Sequence, residues 1–186
     1  MHKPTGRRAT YEDLVAVPDI LVAEILDGVL VTHPRPAAPH ARSASRLGMD
    51  LGTPFDRGRG GPGGWLILDE PELHLRDDVV VPDLTGWRRE RMPEMPMEAA
   101  FRLPPDWACE VLSPSTASVD RIVKMTIYAR EGVGHVWLVH PIDRTVEAYR
   151  LEAGRWVVVG TWGGDAKARI EPFDAVELEL AALWER

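Results

Sequence analysis

Three residues have types and spacing that could do chemistry together: Asp83, Glu110 and Lys124. Asp83 ends the apolar run VVVPD, and Glu110 lies inside WACEVL, which reads as a strand heading for the core. A buried carboxylate is costly unless it is paired, hydrogen-bonded or bound to a cation. Two acids on neighbouring strands, converging at one sheet edge, make a site for a hard divalent cation. Mg²⁺ takes one or two carboxylates and keeps waters for a phosphate substrate. Lys124 falls about two turns into the next helix, read as starting near Ser118. If that helix packs back over the strand, the ammonium reaches the same edge, where it would orient an attacking water or stabilise charge on a phosphoryl oxygen. Asp120, four residues earlier, leaves a plainer reading open: a surface Asp–Lys pair contributing a few tenths of a kcal/mol.

Other chemistries lack support. The six histidines form no HxH, HExxH or Cys/His cluster, so a zinc site is not indicated. There is no Gly-x-Ser-x-Gly elbow, and Ser113 and Ser115 flank Pro114 where turn formation explains them. The single cysteine, Cys109, excludes an intrachain disulfide and reads as a buried structural thiol in a reducing cytosol. TPFDRGRGGPGG lacks a Gly-Lys-Ser/Thr ending and reads as a mobile loop, not a phosphate cradle.

The elements that must position these residues follow from local signals. Thr10 with Asp13 three residues later resembles a capping box opening a short helix that Pro18 closes. VAEILDGVLVTHP reads as a hairpin turning at Asp27-Gly28. Residues 38–52 read as a helix. WLILDEPELHL and VVVPDLTGW read as strands around a turn at Arg76-Asp77-Asp78. Residues 88–105, rich in proline and methionine, read as an irregular excursion. SVDRIVKMTIYAREGV has helical apolar spacing, with Ser118 as N-cap and Gly132 as stop signal. HVWLVHP is a buried strand, TVEAYRL and WVVVGTW are antiparallel neighbours, and DAVELELAALW is a strand or short helix.

With 186 residues, 45% of them hydrophobic, and no repeat or linker, the chain reads as one α/β domain over residues 1–186 with a mixed sheet. No apolar run approaches the roughly 20 residues of a membrane span. The N-terminus MHKPTGRRATYEDL is basic without an apolar segment behind it, unlike a secretory signal. The net charge of −7 argues against a general nucleic-acid coat. Yet from Arg35 to Arg59 five arginines face two acids, and Arg88, Arg89 and Arg91 form a second basic knot. Arg42, Arg46, Arg57 and Arg59 are candidates for phosphate contacts on DNA, against the alternative of solvated surface.

The ordered set Pro82-Asp83, EVLSPST (110–116), Asp120-Arg121 with Lys124, and YAREGV (128–133) resembles the Uma-type restriction endonuclease family of the PD-(D/E)XK nuclease superfamily. AEILDG (23–28) and WLVHP (137–141) fit the same pattern, so the resemblance runs from about residue 11 to 184. It implies a restriction-endonuclease-like core, a central mixed β-sheet flanked by α-helices, and Mg²⁺- or Mn²⁺-dependent cleavage of DNA phosphodiesters. Asp83 and Glu110 would be metal ligands, with the Val111 carbonyl a third and Glu24 completing the site. The superfamily's lysine normally follows the acid by two residues, where this chain has Leu112. The family carries it in the following helix, and Lys124 is the match. His140 stands where many relatives carry Asp; His33, His40 and His74 are read as structural or surface residues. A duplex cut needs two active sites, which suggests a homodimer. A non-catalytic nucleic-acid or protein-binding module on the same scaffold is the alternative, since fold does not fix function.

Overall fold

The Thr10 hydroxyl accepts from the Asp13 N–H and the Asp13 carboxylate accepts from the Thr10 N–H, the reciprocal cap that the sequence predicts. It opens α1 (Tyr11–Val15) in the computed structural model, which describes residues 7–185. The first six residues of the basic N-terminal stretch lie outside the described residues.

The hairpin follows as β1 (Leu21–Leu26) and β2 (Val29–Pro34), with Asp27 and Gly28 both at positive φ in the turn. Next comes α2 (Ala38–Leu51), continued by a π-helical turn at Gly52–Asp56. The two long strands expected around Arg76 are each broken in two: β3 (Trp65–Asp69) and β4 (Glu72–Leu75), then β5 (Asp78–Val80) and β6 (Leu84–Arg88). The breaks fall at Pro71 and Pro82, which lack the N–H that a continuing ladder requires. The proline-rich excursion holds only the short β7 (Ala100–Phe101).

β8 (Trp107–Val111) leads into a helical segment of α3 (Ala117–Val119), a π-helical turn at Asp120–Lys124, and α4 (Met125–Glu131). Thr116, not Ser118, precedes its first turn, and Gly132 ends it in the left-handed conformation at φ 77°. β9 (His135–His140), β10 (Thr145–Glu152) and β11 (Arg155–Gly163) form an antiparallel run. The C-terminal segment contains strand and helix in turn: β12 (Lys167–Ala168) pairs with β13 (Leu178–Glu179), and α5 (Ala181–Trp184) follows.

The central sheet has six strands in the order β11-β10-β9-β8-β6-β3, mixed because β8 and β9 run parallel. A second sheet of five strands, β2-β1-β5-β4-β7, accompanies it. This second sheet is an addition to the expected architecture of one sheet between helices. One face of the central sheet packs under α2 and the C-terminal segment, through Leu47, Leu51, Trp107, Trp137 and Phe173. The other face packs against α4 and strands of the second sheet, through Leu26, Leu73, Ile127 and Leu138. All five residues of β8 are buried, which explains why WACEVL reads as a continuous apolar run and not an alternating one. Cys109 lies within that strand, fully buried.

The glycine-rich segment is packed rather than free. Its first residues extend α2, with Pro54 and Phe55 buried, and the Gly63 N–H donates to the Pro54 carbonyl at 2.9 Å. Gly61 is needed there: a Cβ at that position would stand 2.4 Å from Pro54 Cβ and 2.8 Å from the Pro54 carbonyl oxygen. Gly61→Ala is therefore expected to destabilise the fold by about 1–3 kcal/mol, the usual cost of overpacking, measured by urea unfolding.

Candidate active site

Register brings the two strand acids together. Leu84 lies opposite Cys109 in the antiparallel β6–β8 ladder, so Asp83, one residue before β6, stands beside the Glu110–Val111 end of β8. Asp83 Oδ2 accepts from the Val111 N–H at 2.7 Å. Asp83 Oδ1 lies 3.2 Å from His40 Nε2, from the first turn of α2. Glu110 points to the opposite face of β8 from Cys109 and Val111, toward α4. There its Oε1 accepts from the Tyr128 hydroxyl and its Oε2 from Lys124 Nζ at 3.1 Å.

Lys124 reaches three carboxylates from the π-helical turn. Its Nζ lies 3.0 Å from Glu24 Oε1, 3.1 Å from Glu110 Oε2 and 3.6 Å from Asp120 Oδ1. It is 4% exposed, so the plainer reading of a surface Asp–Lys pair is overturned: the pair exists but is buried among further acids. Glu24 enters from β1 at 1% exposure, and its Oε1 also accepts from the Val81 N–H at 2.8 Å. A tie outside the site fixes these elements relative to one another. Asp78 of β5 accepts from the Asp27 N–H at 2.6 Å in the β1–β2 turn and pairs with Arg130 of α4. One buried carboxylate thus locks the strand bearing Glu24 to the helix that follows Lys124.

Glu24, Asp83, Glu110, Asp120 and Lys124 line one cavity of about 60 Å³, with His33 and His40 in its wall. That is room for a few water-sized groups. Burial pushes the Glu110 carboxyl well above the usual range, with the neighbouring acids adding to the effect and Lys124 opposing it. Asp120 is raised for the same reason. Burial also acts against the charge on Lys124, but Glu110, Glu24 and Asp120 outweigh it and hold the ammonium well above its ordinary value. Glu24 ends up lowered: burial raises it, and Lys124, His33 and the Val81 N–H together overcome that.

The donor set suits a hard cation: five carboxylates, Glu24, Glu70, Asp83, Glu110 and Asp120, line a cavity with one ammonium, Lys124, among the described residues. The buried Glu24 Oε2 has no hydrogen-bond partner, so one oxygen is left for a ligand. As the side chains stand, no three His, Cys, Asp or Glu among the described residues are gathered into a cation cage, and the Lys124 ammonium bridges Glu24 and Glu110.

A family model described as "Uma2: Putative restriction endonuclease" matches residues 8–182. The chain belongs to that family. A solved structure from Anabaena variabilis ATCC 29413, described as a "putative nuclease belonging to DUF820", is similar in fold, with a TM-score of 0.74. It is 21% identical, and the match covers 95% of this chain and 97% of that one. No curated protein matches the chain. The nuclease core resembled in the sequence is therefore the fold observed, and the family description makes nucleic-acid hydrolysis the activity class.

Within this Uma2-family chain, the structure brings Glu24, Asp83, Glu110 and Lys124 to one cavity, while Val111 turns its N–H to Asp83. Tyr128 is a site residue to which sequence reasoning assigned no role, and Asp120, read from the sequence as a surface partner of Lys124, is buried in the site. Lys124 and Tyr128, four apart on one helix, share the face that meets Glu110. His33 and His40 are also in the site, and not merely structural or surface residues. The hairpin register held the signal for His33. Glu24 pairs with Val31, so His33, two residues on, shares its face. His74 sits apart, on Glu72 at 2.6 Å, and the His140 ring accepts from the Asp143 N–H at 3.1 Å in the β9–β10 turn.

The basic residues divide. Arg46 pairs with Asp50 at 3.2 Å, Arg42 approaches the Glu185 carbonyl at 3.5 Å, and Arg89 and Arg91 pair with Asp56 and Asp106. Arg57 and Arg59 are exposed and form no ion pair among the described residues. No described helix is long and apolar enough to cross a membrane.

Proposed function

We propose that this chain is a divalent-metal-dependent endonuclease that hydrolyses DNA phosphodiester bonds. The observation that carries this reading is the convergence of five carboxylates and one lysine on a single cavity, one buried carboxylate oxygen making no hydrogen bond. Asp83, Glu110 and Glu24 would hold Mg²⁺ or Mn²⁺, with the Val111 carbonyl as a further ligand. A bound ion of this kind polarises the phosphoryl oxygen and acidifies water. The protein's own residues do the rest. Val111 N–H and Tyr128 hydroxyl fix the Asp83 and Glu110 carboxylates, and Lys124 Nζ donates toward charge developing on the phosphoryl group. Hydrolysis forms a bond from water oxygen to phosphorus and breaks the phosphorus–oxygen bond to the leaving sugar, which takes up a proton. Strand cleavage of a duplex by two such sites favours a homodimer. The lone buried thiol suits a cytoplasmic setting.

DNA would lie along the surface of α2 and the loop after it, where Arg42, Arg46, Arg57 and Arg59 contact backbone phosphates and not bases. Arg57→Glu with Arg59→Glu tests this, since these two are free of ion pairs among the described residues. Weaker DNA binding is expected, with the log–log salt slope reduced by about 2 if each arginine neutralises one phosphate. An unchanged affinity and slope would make the segment solvated surface. The test of the activity itself is plasmid nicking with Mg²⁺ or Mn²⁺ beside a calorimetric Mn²⁺ titration. Metal binding without nicking on any DNA or RNA tried would favour the binding-module alternative.

A further inference from the structure

Three atoms of cavity-lining residues, Glu24 Oε2, His33 Nε2 and His40 Nδ1, lack hydrogen-bond partners, and the first two face each other. Glu24 Oε2 and His33 Nε2 are both buried from water and neither makes a hydrogen bond. They lie 3.4 Å apart, within ion-pair reach if the imidazole is protonated but not aligned as a hydrogen bond. Leaving a buried donor or acceptor unpaired is costly, so two facing each other need an explanation. The separation supplies one. Two ligands about 2.1 Å from a single dication are about 3.0 Å apart at a right angle and about 3.4 Å apart at the tetrahedral angle. The remaining Glu24 oxygen is already used by the Val81 N–H and Lys124, so Oε2 is the one left to give. The β1–β2 register holds both side chains on one face, and Glu24, at 1% exposure, cannot turn to water instead.

We infer that His33 Nε2 and Glu24 Oε2 together ligate the metal ion of this site, and that the imidazole makes the site select a nitrogen-accepting first-row transition ion over Mg²⁺. This rests on the metal-dependent reading above and adds to it. An all-oxygen site accepts Mg²⁺ readily, whereas an imidazole nitrogen raises affinity for transition ions with little gain for Mg²⁺.

The full chain, stripped with EDTA, is titrated calorimetrically with Mn²⁺ and separately with Mg²⁺. Pulsed electron paramagnetic resonance of the Mn²⁺ complex then reports directly bound nitrogen. Wild type is expected to prefer Mn²⁺ and to show nitrogen coupling. His33→Ala should weaken Mn²⁺ by more than about tenfold, change Mg²⁺ by less than about threefold, and lose the coupling. His33→Phe keeps ring volume without the nitrogen and should behave alike, so a failure of the alanine variant to fold leaves the test intact. His40→Ala should retain the coupling. An unchanged Mn²⁺-to-Mg²⁺ ratio in the His33 variants, or coupling that survives in them, overturns the inference. If either occurs while Glu110→Ala abolishes binding, the metal site stands and only the role of His33 fails. No binding of either ion by wild type overturns both.

Discussion

Lys124→Ala is expected to bind Mn²⁺ and to cleave nothing. The ammonium carries a positive charge at all working pH values, held so by Glu110, Glu24 and Asp120 against the effect of burial, and cannot itself ligate a metal. In the proposed mechanism it acts on the reacting phosphoryl group, where losing one preorganised donor would cost on the order of a hundredfold or more in rate. The structure adds a second consequence. Lys124 is the cation that balances Glu24, Glu110 and Asp120, all at 3% exposure or less. Removing one partner of a buried ionic cluster destabilises by about 3–5 kcal/mol. Lys124→Ala should therefore unfold at lower urea in EDTA and regain much of that stability when Mn²⁺ is added, because the ion takes over the neutralising charge. Lys124→Arg should rescue cleavage poorly, since a planar fork does not replace a compact ammonium at a fixed point. Nicking by Lys124→Ala at the wild-type rate would remove the lysine from the mechanism. Loss of stability that Mn²⁺ does not restore would mean that the carboxylates do not share one ion.

Glu110→Ala is expected to abolish metal binding and cleavage together, the largest combined loss in the site. It would remove a proposed ligand oxygen, and it strands the Tyr128 hydroxyl, whose ring is fully buried. Glu110→Gln separates the two effects. It keeps the shape and an acceptor for Tyr128 but no charge, so metal binding should fall while the fold persists. The same variant tests the electrostatics of the metal-free protein. Glu110 and Asp120 are raised by burial, so between their unfolded and folded values the native state binds more protons than the unfolded one. Stability contributed this way is fully present at acid pH. It declines as pH rises from the ordinary carboxylate range, near 4, through the raised values. Lowered carboxyls such as Glu24 contribute with the opposite sign to both proteins, so in urea unfolding in EDTA across that range wild type should lose stability relative to Glu110→Gln as pH rises. Equal slopes would show that Glu110 does not carry the raised proton affinity.

The sequence by itself determined the features that depend on neighbours in the chain. The Thr10–Asp13 cap, the Asp27-Gly28 turn, the left-handed stop at Gly132 and the buried strand around Glu110 are all set by backbone dihedrals, one-turn hydrogen bonds or local apolar patterning. The pairing of Asp83 with Glu110 was also legible, as two acids on successive core strands. Only the tertiary structure decided what those acids meet. Spacing placed Lys124 on a helix and by itself favoured a surface pairing with Asp120. The packing of that helix over β8 buried it among Glu24, Glu110 and Asp120. Tyr128 on Glu110 and His40 on Asp83 join elements 18 and 43 residues apart in the chain. The second sheet likewise arises because Pro71 and Pro82 interrupt strands that read as continuous, and because β1 then finds β5. Short-range signals survive in the sequence because each residue's backbone preference is its own. A buried charge cluster depends on which faces meet after sheet register and helix packing are settled, and that is a property of the whole fold.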